Sequence, residues 1–257
     1  MLSPISFRAL PWAALLVSCL AGCTKDAPTV APPPTPAAPA APTPAFRGAY
    51  GVLVAQKVNF IFTQAPLPVP VTLESEIGFA AFNNPGTTAY LDAGAVAVNT
   101  IALEKQPNNT YSKVATVALT PATLNFSSSV NWSVVGGNGV NALTYSHASP
   151  FPTYSGTLPT TVTRSAGLTV PLGSSNLSGA DSVYVQVSVG NASVLRRAGG
   201  SAASVTFTAA QLAALPAAAN NAGFIQVVPF RYVLATLNGR AYAFVKLAAN
   251  SSTVTVQ

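Results

Sequence analysis

From Phe46 onward, apolar and polar positions alternate with period two in many short runs. Val183, Val185, Val187 and Val189 fall on one side of a run whose other side is Tyr184, Gln186 and Ser188. Such alternation specifies a strand with one buried and one wet face. The same texture predicts strands over 50–62, 76–82, 90–103, 111–119, 130–135, 160–170, 182–189, 204–207, 223–237, 240–247 and 253–257. Asn238-Gly239 joins two of them with residues that both accept positive φ, as a type I′ hairpin turn demands. Gly190-Asn191, followed by Ser193-Val194-Leu195, fits a II′ turn. Thr208-Ala-Ala-Gln211 is a capping box, and Phe207 with Leu212 forms its staple. It predicts a two-turn helix over 209–215, stopped by Pro216.

Regular strands separated by polar turns specify an all-β fold of the sandwich type. Residues 46–257 are long enough for two sandwiches of about 100 residues each. The sequence places an N-terminal module at 46–147 and a C-terminal one at 148–257, with Ser149-Pro150-Phe151-Pro152 interrupting the pattern between them. One larger sandwich is the alternative. From Thr160 on, the texture resembles the immunoglobulin-like and fibronectin-III-like modules of bacterial surface proteins.

The first 45 residues follow another pattern. Arg8 precedes the apolar run 10–20, and Ala21-Gly22 supply small residues, so 1–22 reads as a signal peptide too short to span a bilayer. Residues 27–45 are almost entirely Pro, Ala and Thr. Proline fixes φ and removes amide donors, so this stretch is expected to be a disordered, extended polyproline II tether. Leu20-Ala21-Gly22-Cys23 resembles the lipobox of bacterial lipoproteins. That resemblance implies cleavage between Gly22 and Cys23, diacylglycerol on the Cys23 thiol, and residence at the outer membrane of a Gram-negative envelope, on its periplasmic or extracellular face. Lys25-Asp26 is similar to the start of a surface-export signal, but Ala27 stands where a second acid is usual.

Composition narrows the function. Only 7% of the 257 residues are charged. An ordinary chain carries about 25%. The 12 basic residues are scattered, which argues against a nucleic-acid partner. The one adjacent pair, Arg196-Arg197, is expected in a glycine-bounded turn. Both cysteines, Cys19 and Cys23, precede the folded part, which can therefore hold no disulfide and no thiolate metal site.

Chemistry-bearing residues are few. His147 is the single histidine, and no Gly-x-Ser-x-Gly elbow accompanies it. Glu74 and Glu76 share a predicted strand face ~7 Å apart. A strand edge guarded by charge is the simpler account of them than an acid/base or calcium pair. Asp92 with Asp181 is the other carboxylate pair a glycan hydrolase could use. Trp132 shares a strand face with Val130 and Val134, which favours a core role over sugar stacking. Trp132, Tyr145 and Tyr154 are nevertheless the candidate ligand platform, with Tyr184, Tyr232 and Tyr242 further aromatics of the same kind. Asp181-Ser182-Val183 resembles a short bacterial O-glycosylation acceptor. The expectation is a non-catalytic, lipid-anchored protein that captures a glycan or protein or acts as a scaffold, with no metal or cofactor. A glycan hydrolase and an accessory of an outer-membrane complex are the alternatives.

Overall fold

The computed structural model describes residues 46, 48–62, 71–116 and 123–257. The signal peptide, lipobox and tether expected over 1–45 lie outside the described residues. The chain divides into two compact units, Met1–Ala38 and Pro39–Gln257, and every described residue belongs to the second.

The described residues form an all-β structure of packed sheets with two one-turn helices. The strands of its first part are β1 (Gly51–Phe62), β2 (Val71–Phe82), β3 (Val96–Val98), β4 (Ile101–Ala102), β5 (Glu104–Lys105), β6 (Tyr111–Thr116), β7 (Val130–Val134) and β8 (Leu143–His147). Then come β9 (Thr153–Tyr154), β10 (Thr161–Val162), β11 (Leu168–Pro171), α1 (Gly173–Asn176), β12 (Leu177–Ser178), β13 (Ser182–Val189), β14 (Ala192–Gly199) and β15 (Ser204–Phe207). The chain closes with α2 (Ala209–Leu212), β16 (Ala218–Leu237) and β17 (Arg240–Val256).

A nine-stranded sheet runs β14-β13-β16-β17-β1-β2-β6-β5, with β10 also pairing with β17. The β1–β17 pair is parallel and its neighbours are antiparallel. A four-stranded sheet runs β4-β3-β7-β8, and two small sheets pair β11 with β15 and β9 with β12. The long hairpin β16–β17 organises all of these. Even-numbered positions of β17 face the front: Tyr242 and Phe244 enter a core shared with the four-stranded sheet, while Val254 and Val256 enter a second core with Val170, Val205 and Phe207. The same front face thus carries one packed layer at each end. Odd-numbered positions of β17 from Ala243 to Ala249 face the back of the sheet.

Local chemistry sets the hairpins. Asn238 and Gly239 both adopt positive φ (50° and 74°) between β16 and β17, and Gly190 (φ 55°) opens the β13–β14 turn. These are the conformations that two-residue hairpin turns require. Thr208 accepts from the Gln211 amide while the Gln211 side chain accepts from the Thr208 amide, so the capping box forms as its residues specify. The helix it starts is one turn, not two.

Several strand bounds differ from the sequence reading. The expected pair 240–247 and 253–257 is one strand, because Asn250, Ser251 and Ser252 keep their backbone partners on β1 and β16. The expected strand 90–103 is cut at Asn99 and Thr100, whose φ values of 46° and 70° make a two-residue turn between β3 and β4. The expected 160–170 strand breaks into β10 and β11, with a turn around Gly167 (φ 77°). Residues 117–119 of the expected 111–119 strand lie outside the described ones. Arg196 and Arg197 are not in a turn; they pair with Val185 and Tyr184 inside β14, at the rim of the large sheet. Charge on a rim strand discourages further strand addition. The sequence boundary expected at 147/148 falls where the chain leaves β8 and crosses the middle of the large sheet's front.

The tight path after β14 yields a first prediction. A methyl group on Gly200 would lie 1.8 Å from the Ala180 carbonyl oxygen, whereas one on Gly199 meets nothing within 4 Å. Neither glycine has positive φ. In urea unfolding, Gly200→Ala is expected to cost about 1–3 kcal/mol or more, and Gly199→Ala to be neutral or slightly stabilising.

Candidate functional site

The four-stranded sheet has two contrasting faces. Val130, Trp132 and Val134 of β7 point inward, and Asn131 and Ser133 point outward. On β8, Leu143 and His147 are buried while Thr144 and Ser146 are exposed. Register aligns Ala97, Ser133 and Thr144 in one outward row, and Asn131 with Ser146 in another. The result is a flat array of short hydroxyl and amide side chains. Ala97, Thr100, Asn131, Ser133, Thr144 and Ser146 line a shallow depression of about 420 Å³ there, with Trp132 and Tyr145 completing the lining.

The array is held rigidly from behind and from its rim. Behind it, Trp132 and Tyr145 are cross-strand partners, and the Tyr145 ring stacks on Phe244 of the large sheet at 3.7 Å and 15°. At the rim, the Asn99 amide nitrogen donates to the Leu124 and Asn125 carbonyls (3.0 and 2.9 Å), and its side-chain oxygen accepts from the Asn131 N–H (2.8 Å). Thr100 beside it is β-branched yet left-handed. That conformation costs such a residue roughly 1–2 kcal/mol. Strain of this kind persists only where the surroundings enforce it, and it gathers at ligand sites.

Directly across the large sheet's front sits a buried cation. Lys246 is fully buried on β17 between the two front cores. Its ammonium donates to the carbonyls of Ser128 (2.7 Å), His147 (2.8 Å) and Ser149 (2.6 Å). It also lies 4.9 Å from the Phe151 ring, which carries Lys57 at 5.1 Å and stacks with Phe126. Burial, then the charges of Lys57 and Arg231, push the Lys246 ammonium down to about 8. All three N–H donors are used, so it acts as a structural tie.

His147 is buried beside it, and neither ring nitrogen has a hydrogen-bond partner. Burial first, then Lys246 and Arg231, hold the imidazole down to about 4, with Asp181 pulling the other way. A general base needs a reachable substrate proton. This imidazole is enclosed.

The scarce carboxylates are engaged separately. Asp92 accepts from Lys105 (2.7 Å), the Tyr111 hydroxyl (2.9 Å) and the Gly94 amide (3.0 Å). The Lys105 bond foremost, then the Gly94 amide, hold Asp92 at about 2, while burial and then Asp92 push the Tyr111 hydroxyl to about 12. Asp181 accepts from the Tyr232 amide (2.9 Å) and shares no partner with Asp92. Glu76 accepts from the Phe126 amide at 3.2 and 3.4 Å, tying the loop before β7 to β2; Glu74, two residues along, is exposed. Among the described residues, no group of three His, Cys, Asp or Glu side chains is placed to hold a metal ion.

The three aromatics expected as a platform do not form one. Trp132 is 2% and Tyr154 6% exposed, and Tyr154 belongs to the second core, its hydroxyl donating to the Pro171 carbonyl. Apolar neighbours on their strand faces draw both rings inward. Tyr242 is fully buried as well. Cys23 and Gly22 lie outside the described residues. What the sequence reading missed is the polar array and Lys246. The signal for the first was there: Leu143-Thr-Tyr-Ser-His147 alternates as β7 does, with histidine in place of a final aliphatic.

No protein-family model matches the chain, and comparison with curated proteins and with solved structures gives no match.

Two stability predictions follow from the cation and its neighbour. Lys246→Met would leave carbonyls of Ser128, His147 and Ser149 without their donor, at ~1–3 kcal/mol for each that stays buried; a loss of about 3 kcal/mol or more is expected in urea titration. The imidazole binds its proton less readily folded than unfolded, where it titrates near 6.5. Its contribution is therefore fully present above pH 6.5 and is lost as pH falls toward about 4. The melting temperature should drop through that window, and His147→Leu should flatten the drop. Asp92 acts in a lower window, its contribution being lost as pH falls from 3.8 through about 2.

Proposed function

We propose that this chain is a lipid-anchored envelope protein of a Gram-negative bacterium that captures a polar ligand, of the glycan class, on the outer face of its four-stranded sheet. The observation that carries the reading is the array of Asn131, Ser133, Thr144 and Ser146 around the depression beside strained Thr100. Hydroxyls and amides of short side chains offer donors and acceptors at strand spacing, which suits the hydroxyls of an extended sugar chain. Little rotamer entropy is lost when such short side chains bind. The low charge supports an uncharged ligand over a nucleic acid.

The lipobox-like Leu20-Ala21-Gly22-Cys23 supports attachment through acyl chains on Cys23. Two or more chains, at ~0.8 kcal/mol per buried CH₂, hold a protein firmly. The Pro/Ala-rich stretch after it gives the capture face room to work away from the bilayer.

Mass spectrometry of the chain from a Gram-negative membrane should find Cys23 as an acylated N-terminal residue; a free thiol in a soluble product would remove the anchoring half of the reading. A glycan array probed with the full-length chain carrying Cys23→Ser tests the capture half. Ser133→Tyr and Thr144→Tyr fill the depression and should each weaken the bound glycan at least tenfold. Thr100→Gly should raise stability by about 1 kcal/mol and weaken binding, because the rim relaxes. An array without a hit, or hits unchanged in all three variants, would dismiss capture at this face.

A further inference from the structure

Among the described strands, the first and the last lie side by side and run the same way. β1 pairs with β17 over eleven consecutive positions, from Gly51 opposite Tyr242 to Ile61 opposite Ser252. Beyond Ser252, β10 takes over the same edge of β17, again parallel, with Thr161 opposite Thr255 and Val162 opposite Val256. The chain therefore enters this pair at one end, beside Gly51, and leaves it at the other, beside Val256. Tension along the chain pulls β1 and β17 lengthwise past each other. The bonds of a parallel pair are evenly spaced along the strands, so such a pull loads on the order of ten of them together. A hairpin pulled apart at its open end loses its bonds one after another.

Neither end of the pair offers a loose start for peeling. Before β1, the Tyr50 N–H donates to the Ala241 carbonyl (2.7 Å) and the Tyr50 carbonyl accepts from the Asn83 N–H (2.9 Å). The Tyr50 hydroxyl donates to the Gly139 carbonyl (2.9 Å), and the Arg240 guanidinium lies 3.9 Å from its ring. After β17, the Gln257 N–H donates to the Val162 carbonyl (3.0 Å) and the Gln257 carbonyl accepts from the Arg164 N–H (2.7 Å). The middle of the pair is dry: Leu53, Val54 and Ala55 of β1, and Phe244, Val245, Lys246 and Leu247 of β17, are each at most 2% exposed. Water has little access to a bond that lengthens there, and the low dielectric strengthens the bond. The Asn59 side-chain amide adds a bond to Asn250 across the same pair (3.3 Å). β2 flanks β1 and β16 flanks β17, so neither strand slides without also shearing its other neighbour.

We propose that the β1–β17 pair is a load-bearing clamp, and that this chain carries tension applied between its entry at Gly51 and its exit at Val256. Lys246 stands opposite Ala55 within the pair, and its ammonium holds the end of β8 through the His147 carbonyl. A pull on the four-stranded sheet therefore reaches the same clamp. In the anchored reading given above, tension on the lipid arrives at the Gly51 end. The clamp itself rests on strand pairing, and on neither acylation nor glycan capture.

Single-molecule pulling of the full-length chain tests it, with Cys19→Ser and Cys23→Ser so that thiol handles attach only where intended. Handles at the two chain ends load the clamp lengthwise. Handles at the N-terminal end and at Thr88→Cys, in the exposed loop after β2, instead peel β1 from β2, starting where Gly51 faces Phe82. Handles at Ala217→Cys, also exposed, and at the C-terminal end peel β16 from β17, starting where Ala218 faces Val256. At one loading rate, the end-to-end geometry should give a single rupture at roughly twice the force of either peeling geometry, or more, because forced unfolding follows the barrier crossed and the clamp's bonds must fail together. Either peeling geometry suffices for the comparison, and a shared urea midpoint shows that direction of load, not stability, sets the difference. An end-to-end force equal to or below the peeling force overturns the clamp. So does end-to-end lengthening in several small steps.

Discussion

A single ammonium at the middle of the longest hairpin ties the front layer to the large sheet. Ser128 lies just before β7, and His147 and Ser149 lie at and just after the end of β8. Their carbonyls converge on one point of the large sheet. Lys246 meets all three from below. Burying an ammonium costs several kcal/mol, and the desolvation is visible in the proton it holds less tightly. Three charge-assisted bonds and the Phe151 ring offset that cost. An aliphatic residue would avoid the desolvation but would strand the carbonyls. The lysine therefore supplies donors that a strand would supply elsewhere.

This arrangement explains why the chemistry-bearing residues sit where they do. Phe151, stacked on Phe126 and flanked by Lys57 and Lys246, fills the saddle between the two front cores. His147 is enclosed there as a neutral side chain, because a second positive charge beside Lys246 would go unpaired. Asp92 closes a separate knot with Tyr111 and Lys105, and Glu76 fastens the loop that carries Phe126. Each of these groups holds loops in place. Around the depression, the front layer they steady presents mostly short polar side chains to solvent.

The period-two pattern made most of the sheet legible. β1, β7, β13, β15 and the β16–β17 turn follow from alternation and turn chemistry with small changes of bound. Where reading failed, a longer-range partner decided. Asn250-Ser251-Ser252 looks like a loop in isolation, yet β1 and β16 flank it on both sides and keep it extended. Arg196-Arg197 beside two glycines looks like a turn, yet β13 pairs with it to the end. Asn99-Thr100 looks like strand because threonine is β-branched, yet the Asn99 side chain makes three bonds to two other segments and forces the turn. Lys246 was invisible for a related reason: Ala243-Phe-Val-Lys-Leu247 gives no local sign that its lysine is the buried member. Its partners are 97 to 118 residues away in sequence.

The same contrast separates the two outward-facing surfaces of the protein. The outer face of the four-stranded sheet is built of serine, threonine, asparagine and alanine, so water covers it at little cost and a polar ligand can replace that water bond for bond. The back of the large sheet is built of valine, leucine, phenylalanine and alanine. At about 25 cal/mol per Å² of apolar area, leaving it wet would forfeit several kcal/mol. A chain that carries both faces has one surface ready for exchange with solvent and one that must stay covered. The covering group has to be neutral and poor in unpaired amides, since a sheet face offers no backbone partners to whatever lies on it.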